Sequence, residues 1–247
     1  MGKDISANFA GLPRCTNQTY CLSRKEVGNQ HYCSSGKDIA LILKGMRKAV
    51  DAPAVVSRSD PFEVIISTVL SQRTRDQNTE KAAKQLFAKY HGTKALASAP
   101  LADVRKLIKQ AGFFKVKAVR IKEISRQLIE RFDGSVPADL ELLLSLPGVG
   151  RKTANCVLVY GFNQPALPVD VHVHRISNRI GLVKTKTPEQ TEQALALVVP
   201  KKFWGEINHL MVKYGQQICL PRVPRCESCG IRQQCDYFKT VEPKTNL

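Results

Sequence analysis

The amino-acid sequence predicts an all-α protein, and three observations lead to that prediction. From residue 38 onward, apolar residues recur at helical spacing in one segment after another. Capping and stop residues separate these segments. The sequence contains no convincing β-hairpin pattern and no repeat of fixed period, which argues against a sheet and against a solenoid.

Each predicted helix carries a start signal or a stop signal. Asp60-Pro61 combines a capping aspartate with a first-turn proline, and Thr79 is predicted to cap the helix that follows. Gly112 and Asp133-Gly134 stop the next two apolar stripes, and Thr187-Pro188-Glu189-Gln190 is typical of a capping box. One segment conflicts with the helical class, because its alternating apolar residues are typical of a strand: Leu167, Val169, Val171 and Val173.

Composition indicates a folded protein with a polyanionic partner. The 247 residues include 38 Lys and Arg against 21 Asp and Glu, a formal net charge of +17. This surplus favours nucleic acid, because clustered cations bind phosphates and release counterions. The sequence lacks an apolar run of the ~20 residues that a membrane helix needs, and its first residues lack an apolar secretory core. We therefore expect a monomeric, cytoplasmic, nucleoid-associated protein.

Residues 1–37 are predicted to form a flexible N-terminal tail, because they show no sustained apolar period. The tail contains three cysteines, Cys15, Cys21 and Cys33. Incidental thiols are the simpler interpretation, and a second metal site that includes His31 is the alternative.

Four further cysteines lie within 17 residues, in the pattern Cys219-x6-Cys226-x2-Cys229-x5-Cys235. A structural zinc ion accepts four thiolates, but such sites usually contain two Cys-x2-Cys pairs, and this segment has one. An iron–sulfur cluster is larger and does not need two tight pairs. The pattern therefore favours an iron–sulfur cluster, with zinc as the second interpretation and thiols without metal as the third.

A tight turn joins two predicted helices at Leu146-Pro147-Gly148-Val149-Gly150. Pro147 prevents the first helix from continuing, and the two glycines permit the backbone to turn sharply. The second helix, over 151–160, would begin with backbone N–H groups that have no acceptor within the helix. Either these groups bind a phosphate, which the helix dipole also attracts, or the segment is only a tight turn.

Lys152 lies in the first turn of the second helix, and Asp170 follows 18 residues later. The positive end of the helix dipole and the neighbouring Arg151 disfavour a protonated amine at Lys152. A neutral amine is a nucleophile that forms a Schiff base, although a solvated or phosphate-contacting lysine is the simpler alternative. Asp170 either caps the helix that follows, or it stabilises a developing cation and handles a proton.

Together these motifs resemble the endonuclease III family of DNA glycosylases, which are helix-hairpin-helix enzymes with a [4Fe-4S] cluster. The resemblance rests on residues 146–152, on the later aspartate and on the spacing of the four cysteines, and it covers roughly residues 38–238. It implies two helical domains with a DNA groove between them. One is a six-helix barrel with the helix-hairpin-helix over 57–163, and the other is an iron–sulfur cluster domain formed by 38–56 and 164–247.

The resemblance also implies a bifunctional DNA glycosylase/AP lyase of base excision repair, whose partner is duplex DNA with a damaged base or an abasic site. Such an enzyme removes an oxidised pyrimidine and then nicks the strand by β-elimination. Lys152 would attack the sugar C1′ and form the imine, and Asp170 would activate the lysine and stabilise positive charge. A [4Fe-4S] cluster with a structural role would be held by Cys219, Cys226, Cys229 and Cys235.

The resemblance assigns further residues to DNA contact. Gly148 and Gly150 would grip a backbone phosphate, and Arg151 and His172 would lie against the DNA. Phe113 resembles the apolar wedge that fills the gap left by an extruded nucleotide, although a plain core aromatic is the alternative.

The second gap-filling residue of the family is a glutamine, and here the sequence departs from the pattern. Arg73 occupies that position, Gln72 lies one residue earlier, and Asp76 keeps a family acidic position. Which of these residues fills the vacated space, and which base is preferred opposite the lesion, stays open on the sequence.

Three other functions compete with this interpretation. A thymine–guanine mismatch glycosylase is related and is favoured by Arg73, but such enzymes commonly lack the helix lysine. Adenine-mismatch glycosylases also usually lack it and carry an additional C-terminal domain. A non-catalytic DNA-binding module with a structural metal site is the alternative from another functional class.

Overall fold

The computed structural model of the protein describes residues 24–27, 30–33, 36–50 and 59–241. Within these ranges the chain is helical apart from one short hairpin, so the all-α prediction is confirmed. The side chains of the N-terminal tail, including its three cysteines and His31, lie outside the described residues.

The described helices are, in chain order, α1 Ile39–Val50, α2 Pro61–Ser71, α3 Asp76–Lys89, α4 Gly92–Ser98, α5 Leu101–Leu107, α6 Phe114–Phe132, α7 Leu140–Leu144, α8 Arg151–Cys156, α9 Val171–Arg179, α10 Pro188–Val198, α11 Trp204–Gln217 and α12 Asp236–Val241. A π-helical turn, Val157–Gly161, continues α8. Short 3-10 turns occupy Lys201–Phe203, Cys226–Ser228 and Arg232–Gln234.

The predicted helix signals at three of these ends are confirmed. The Asp60 carboxylate accepts hydrogen bonds from the backbone N–H of Phe62 and of Glu63, at 2.9 and 3.0 Å. Asp133 adopts the left-handed conformation after α6, and the Gly134 amide donates to the Leu128 carbonyl at 2.9 Å. Thr187 caps α10 through its hydroxyl. These local signals fix the helix ends because they satisfy backbone groups that the helix leaves free.

Two helix signals were wrong. Thr79 lies inside α3, where its hydroxyl donates to the Arg75 carbonyl at 3.3 Å, because the helix begins earlier, at Asp76. Helix α5 ends at Leu107, well before Gly112.

The segment with the strand-like pattern forms no strand. Residues 163–170 are irregular, and the helix α9 begins at Val171. Leu167 and Val169 are both buried, but so are Ala166 and Pro168 between and before them, so the burial does not alternate as it would in a half-buried strand.

A short antiparallel hairpin, which the sequence analysis did not anticipate, lies within the region predicted to be a tail. Strand β1, Arg24–Val27, pairs with strand β2, Gln30–Cys33, with Arg24 opposite Cys33. Its sequence lacks the apolar alternation that usually marks a strand, which is why the pattern did not predict it.

The chain divides into two compact units. The central unit consists of residues 53–170 and 201–210, and the terminal unit of 1–52, 171–200 and 211–247. Residues 164–170 and 201–210, which the sequence analysis assigned to the cluster domain, thus belong to the central unit. No helix in the described ranges is long and apolar enough to cross a membrane.

Each unit has an apolar core of its own. Helices α2 to α8 of the central unit bury a continuous apolar cluster that includes Ile65, Leu70, Ile121 and Leu128, all fully buried. In the terminal unit, α1 buries Ile42, Leu43 and Met46. A Cβ at Gly45 of α1 would lie 2.7 Å from the Gly230 carbonyl oxygen, so α1 contacts the cysteine-rich segment backbone to backbone.

Candidate functional site

The turn before α8 is anchored by its apolar residues and shaped by one glycine. Leu146 and Val149 are buried in the core of the central unit. Gly148 has φ +75°, a conformation that favours glycine, and a Cβ there would lie 2.2 Å from the Arg120 side chain. Gly150 has an ordinary φ of −91°, and α8 begins after it without a side-chain cap. Only one of the two predicted glycines is therefore required by the backbone.

Gln72 ties this turn to the neighbouring loop. Its side-chain N–H donates to the Gly148 backbone carbonyl at 3.2 Å, and its side-chain oxygen accepts a hydrogen bond from the Arg120 guanidinium at 3.3 Å. Gln72 is thus brought beside the turn that the sequence predicted as a phosphate cradle.

Lys152 and Asp170 meet around a buried thiol, Cys156. Lys152 and Cys156 are one helical turn apart on α8, and their side chains are hydrogen-bonded. Cys156 is 2% exposed, and burial raises the pKa of its thiol. Asp170 lies close enough for its charge to raise the pKa of Cys156 further, whereas Lys152 lowers it. Both predicted catalytic residues therefore lie near enough to Cys156, in the central unit, to influence the pKa of its thiol.

Buried side-chain amides hold the segment that carries Asp170. The Asn155 amide donates to the Leu167 carbonyl at 3.2 Å, and the Asn208 amide donates to the Pro168 carbonyl at 2.9 Å. The Tyr160 hydroxyl donates to the Asn208 side-chain oxygen at 2.8 Å. Burial raises the pKa of Tyr160, so the hydroxyl stays a donor. These contacts from α8 and α11 hold an irregular segment in place.

Sequence reasoning missed Cys156 and the amide network for different reasons. The four-residue spacing between Lys152 and Cys156 on a predicted helix would have indicated their contact. Asn208 is separated from Pro168 by 40 residues, and no local pattern links them.

Arg73 and Phe113 form a second candidate contact surface of the central unit. Phe113 is 63% exposed, so it is not a core aromatic. Both residues have a left-handed backbone, with φ +51° and φ +58°, and the Arg73 guanidinium lies 5.8 Å from the centre of the Phe113 ring. Together with Gln72, Val116 and the side chain of Arg120 they line a cavity of about 220 Å³.

The remaining predicted DNA-contact residues lie elsewhere. Asp76 starts α3 and lines a different, wider groove together with Glu63 and Glu80. Arg151 is the exposed first residue of α8. His172 belongs to the terminal unit, where its Nδ1 accepts a hydrogen bond from Arg175 at 3.1 Å.

The four clustered cysteines line one cavity of the terminal unit. Apolar side chains, among them Ile176, Ile218 and Ile231, and the side chains of Arg179 and Arg225 also line it. Tyr214 lies beside the cavity, with its hydroxyl 3.0 Å from the Cys229 sulfur, and Arg179 donates to the Cys219 sulfur at 3.4 Å. Burial raises the pKa of Cys226, and the neighbouring sulfurs raise it further.

The donor set fits a group that several thiolates share. In the part of the chain that the structure describes, no three or more His, Cys, Asp or Glu side chains are arranged to hold a metal ion. The four sulfurs instead line one cavity together with apolar side chains, and the nearby donors Arg179 and Tyr214 suit negatively charged sulfur. By donor type, four thiolates fit either an iron–sulfur cluster or a zinc ion.

Comparison with known proteins identifies the family. Residues 66–201, more than half of the chain, match the HhH-GPD superfamily of base excision DNA repair proteins. Endonuclease III of Thermotoga maritima is 57% identical over 181 residues, which cover 73% of this chain and 85% of that protein. The chain belongs to the endonuclease III family.

Other members and solved structures agree with this assignment. Endonuclease III of Escherichia coli is 38% identical over 74% of this chain and 87% of its own. A structure of an endonuclease III trapped as a covalent intermediate with DNA has a TM-score of 0.74 at 35% identity, covering 82% of this chain and 96% of the other. This member of the endonuclease III family is therefore a base excision repair DNA glycosylase and AP lyase that binds duplex DNA.

A solved thermostable thymine-DNA glycosylase is also similar. Its TM-score is 0.72 at 25% identity, covering 81% of this chain and 96% of the other. The fold is thus shared with a solved thymine-DNA glycosylase.

Proposed function

We propose that this endonuclease III removes oxidised pyrimidines from duplex DNA and nicks the abasic site by β-elimination through a Schiff base on Lys152. The observation that carries the proposal is the position of Lys152 and Asp170 around the buried Cys156 thiol.

In the first step the Lys152 nitrogen forms a bond to the sugar C1′ as the bond from C1′ to the base breaks. The base leaves with the electron pair of that bond. Asp170 stabilises the positive charge that develops on the sugar, and it accepts the proton that the Lys152 amine releases. Asn208 holds the Pro168 carbonyl two residues before Asp170, which fixes the carboxylate in place.

In the second step the sugar ring opens, and the C1′ carbon becomes an imine of the Lys152 nitrogen. Loss of a proton from C2′ then sends its electron pair into a new double bond, and the bond from C3′ to the phosphate oxygen breaks. The positively charged imine withdraws electrons, so the amine serves both as nucleophile and as electron sink. The phosphate leaves on the 3′ side of the lesion, and the strand is nicked.

The DNA-binding residues are proposed on the same basis. The backbone of Gly148 to Arg151 would contact a phosphate, since α8 has no side-chain cap at Gly150. Phe113 and Arg73 would enter the space left by the extruded nucleotide, with Gln72 beside them. Asp76 and His172 would contact DNA outside that space.

We further propose that Cys219, Cys226, Cys229 and Cys235 hold a [4Fe-4S] cluster with a structural role. The cluster, when bound, ties the four thiolates of residues 219–235 to one group. Arg179 and Tyr214 would donate hydrogen bonds to its sulfur ligands. Zinc predicts a protein without visible absorption, whereas an iron–sulfur cluster predicts a coloured protein with about four irons per chain.

The decisive test is borohydride trapping on duplex DNA with one oxidised pyrimidine. The purified protein should form a covalent adduct, and Lys152→Ala should lower adduct formation and strand nicking by roughly 10³-fold or more. Lys94→Ala, on an exposed lysine of α4, is the matched control and should leave both unchanged.

The same assay separates the alternatives. Base release without an adduct, strongest on DNA with a thymine–guanine mismatch, would instead support the mismatch glycosylase that Arg73 and the thymine-DNA glycosylase likeness favour. Binding to either DNA without base release or nicking would instead support the third function, a non-catalytic DNA-binding module.

A further inference from the structure

Lys117 is a buried lysine that no step of the proposed reaction uses. It lies in the first turn of α6 and is 3% exposed. Its ammonium donates to the Leu70 carbonyl at 2.6 Å, to the Gln72 carbonyl at 2.5 Å and to the Thr74 hydroxyl oxygen at 2.7 Å. An ammonium has three donors, so all of them are directed at one five-residue segment, 70–74.

Thr74 connects that segment to the loop that carries Phe113. Its hydroxyl oxygen also accepts a hydrogen bond from the Gly112 amide at 3.0 Å. A Cβ at Gly112 would lie 2.6 Å from the Arg73 carbonyl oxygen, so the two loops touch backbone to backbone. The hydrogen bonds of Lys117 and Thr74 therefore connect the loop that carries Arg73 to the loop that carries Phe113.

Both tied loops hold a residue in a costly conformation. Arg73 and Phe113 are non-glycine residues with positive φ, a strained backbone state that side chains disfavour. Such residues keep this conformation only where the surrounding contacts fix it. The contacts made by Lys117 and Thr74 are of that kind, and what they fix is the relative position of the Arg73 and Phe113 side chains.

A second lysine on the same helix shows what a purely structural role looks like. Lys122 donates to the carbonyls of Ala97 and Ala99 and so satisfies the C-terminal end of α4. The segment that it caps carries none of the proposed DNA contacts. Lys117 differs because its acceptors flank Arg73 directly.

We propose that Lys117, together with Thr74, is a positioning residue for base extrusion. It holds Arg73 and Phe113 in the one arrangement in which both enter the space vacated by the nucleotide. The inference rests on the proposed function of Phe113 and Arg73. The proposal predicts that Lys117 raises the rate of base release when the enzyme must open a base pair. It also predicts that Lys117 contributes little to that rate once the base is already unpaired.

The test compares one lesion in two settings under single-turnover conditions. In the first, the oxidised pyrimidine is paired in intact duplex; in the second, it lies opposite a one-nucleotide gap, where extrusion costs little. Lys117→Met and Thr74→Val should lower the rate of base release by about ten- to 10²-fold on the paired lesion. On the unpaired lesion the loss should be no more than about threefold.

Matched variants separate positioning from general stability. Thr74→Ser keeps the hydroxyl and should restore the rate on the paired lesion. Lys122→Met should lower both rates equally or not at all. Should Lys117→Met fail to fold, as judged by circular dichroism, the pair Thr74→Val and Thr74→Ser decides the question.

An equal loss on paired and unpaired lesions in Lys117→Met and Thr74→Val would overturn the inference. The failure of the proposed function is recognisable separately, because the unaltered protein would then form no borohydride adduct. In that case fluorescence of a 2-aminopurine placed next to the lesion still reports base extrusion on binding. Thr74→Val should diminish that signal, and an undiminished signal would again overturn the inference.

Discussion

The surroundings of Lys152 and the cysteine cavity both place polar groups among apolar side chains, but the two regions differ in what binds those polar groups. Around Lys152 the protein supplies the partners itself: Cys156 for the amine, and Asn208 for Tyr160 and the Pro168 carbonyl. In the terminal unit, four sulfurs line one cavity together with apolar side chains, Arg179 and Tyr214. Protein contacts complete the first region, whereas in the second the four thiolates would share the proposed cluster. The two regions should therefore respond to substitution in different ways.

The largest expected difference concerns two buried or half-buried cysteines, one from each region. Cys229→Ala should remove the visible absorption and the bound iron, and it should lower the free energy of unfolding by at least about 3 kcal/mol. Cys156→Ala should leave the iron content unchanged and cost about 1 kcal/mol, since it removes one small buried side chain. Iron analysis and urea unfolding followed by circular dichroism measure both. Equal iron content in the two variants would mean that the cavity holds no iron through Cys229.

A smaller effect is expected from the amide network beneath Asp170. Asn208→Ala leaves the Tyr160 hydroxyl and the Pro168 carbonyl without their partner, so it should cost about 2–3 kcal/mol and slow base release about tenfold. Tyr160→Phe removes one hydrogen bond and keeps the contact to Pro168, so it should cost about 1 kcal/mol with the rate nearly unchanged. Urea unfolding and single-turnover base release test the order. A slower rate in Tyr160→Phe than in Asn208→Ala would contradict the assignment of Asn208 to the Asp170 segment.

The smallest effect is a pH dependence at Lys117. Burial lowers the pKa of Lys117 to about 8, and the Arg120 charge lowers it as well, from an ordinary value of 10.5. Between those pH values the unfolded chain holds a proton that the folded chain has released, so this group makes the protein more stable as pH rises. From about pH 7.5 to about pH 10, the free energy of unfolding should rise by roughly 1–2 kcal/mol more than in Lys117→Met. Parallel pH profiles for the two proteins would show that burial does not shift the Lys117 pKa.

Some of the features behind these predictions could be found from the sequence, and others could not. The cysteine pattern and the turn at Gly148 were recognised from spacing, because their signals lie within short segments, whereas the catalytic roles of Lys152 and Asp170 were predicted from the family resemblance. The helix caps at Asp60 and Thr187 were found for the same reason. Phe113 was found as a wedge with a core aromatic as the alternative, and its 63% exposure rejects the alternative. The start of α3 was missed, because Arg75, which precedes it, carries no side-chain cap bond.

The sequence by itself thus determined the helical class, the four-thiol set and the candidate nucleophile with its aspartate. Only the tertiary structure decided how these groups are held. Lys117 contacts Leu70 across 47 residues, and Asn208 contacts Pro168 across 40, so no periodic pattern encodes either pair. Capping and periodicity act within one or two helical turns, whereas the position of a side chain relative to a distant loop depends on packing between elements.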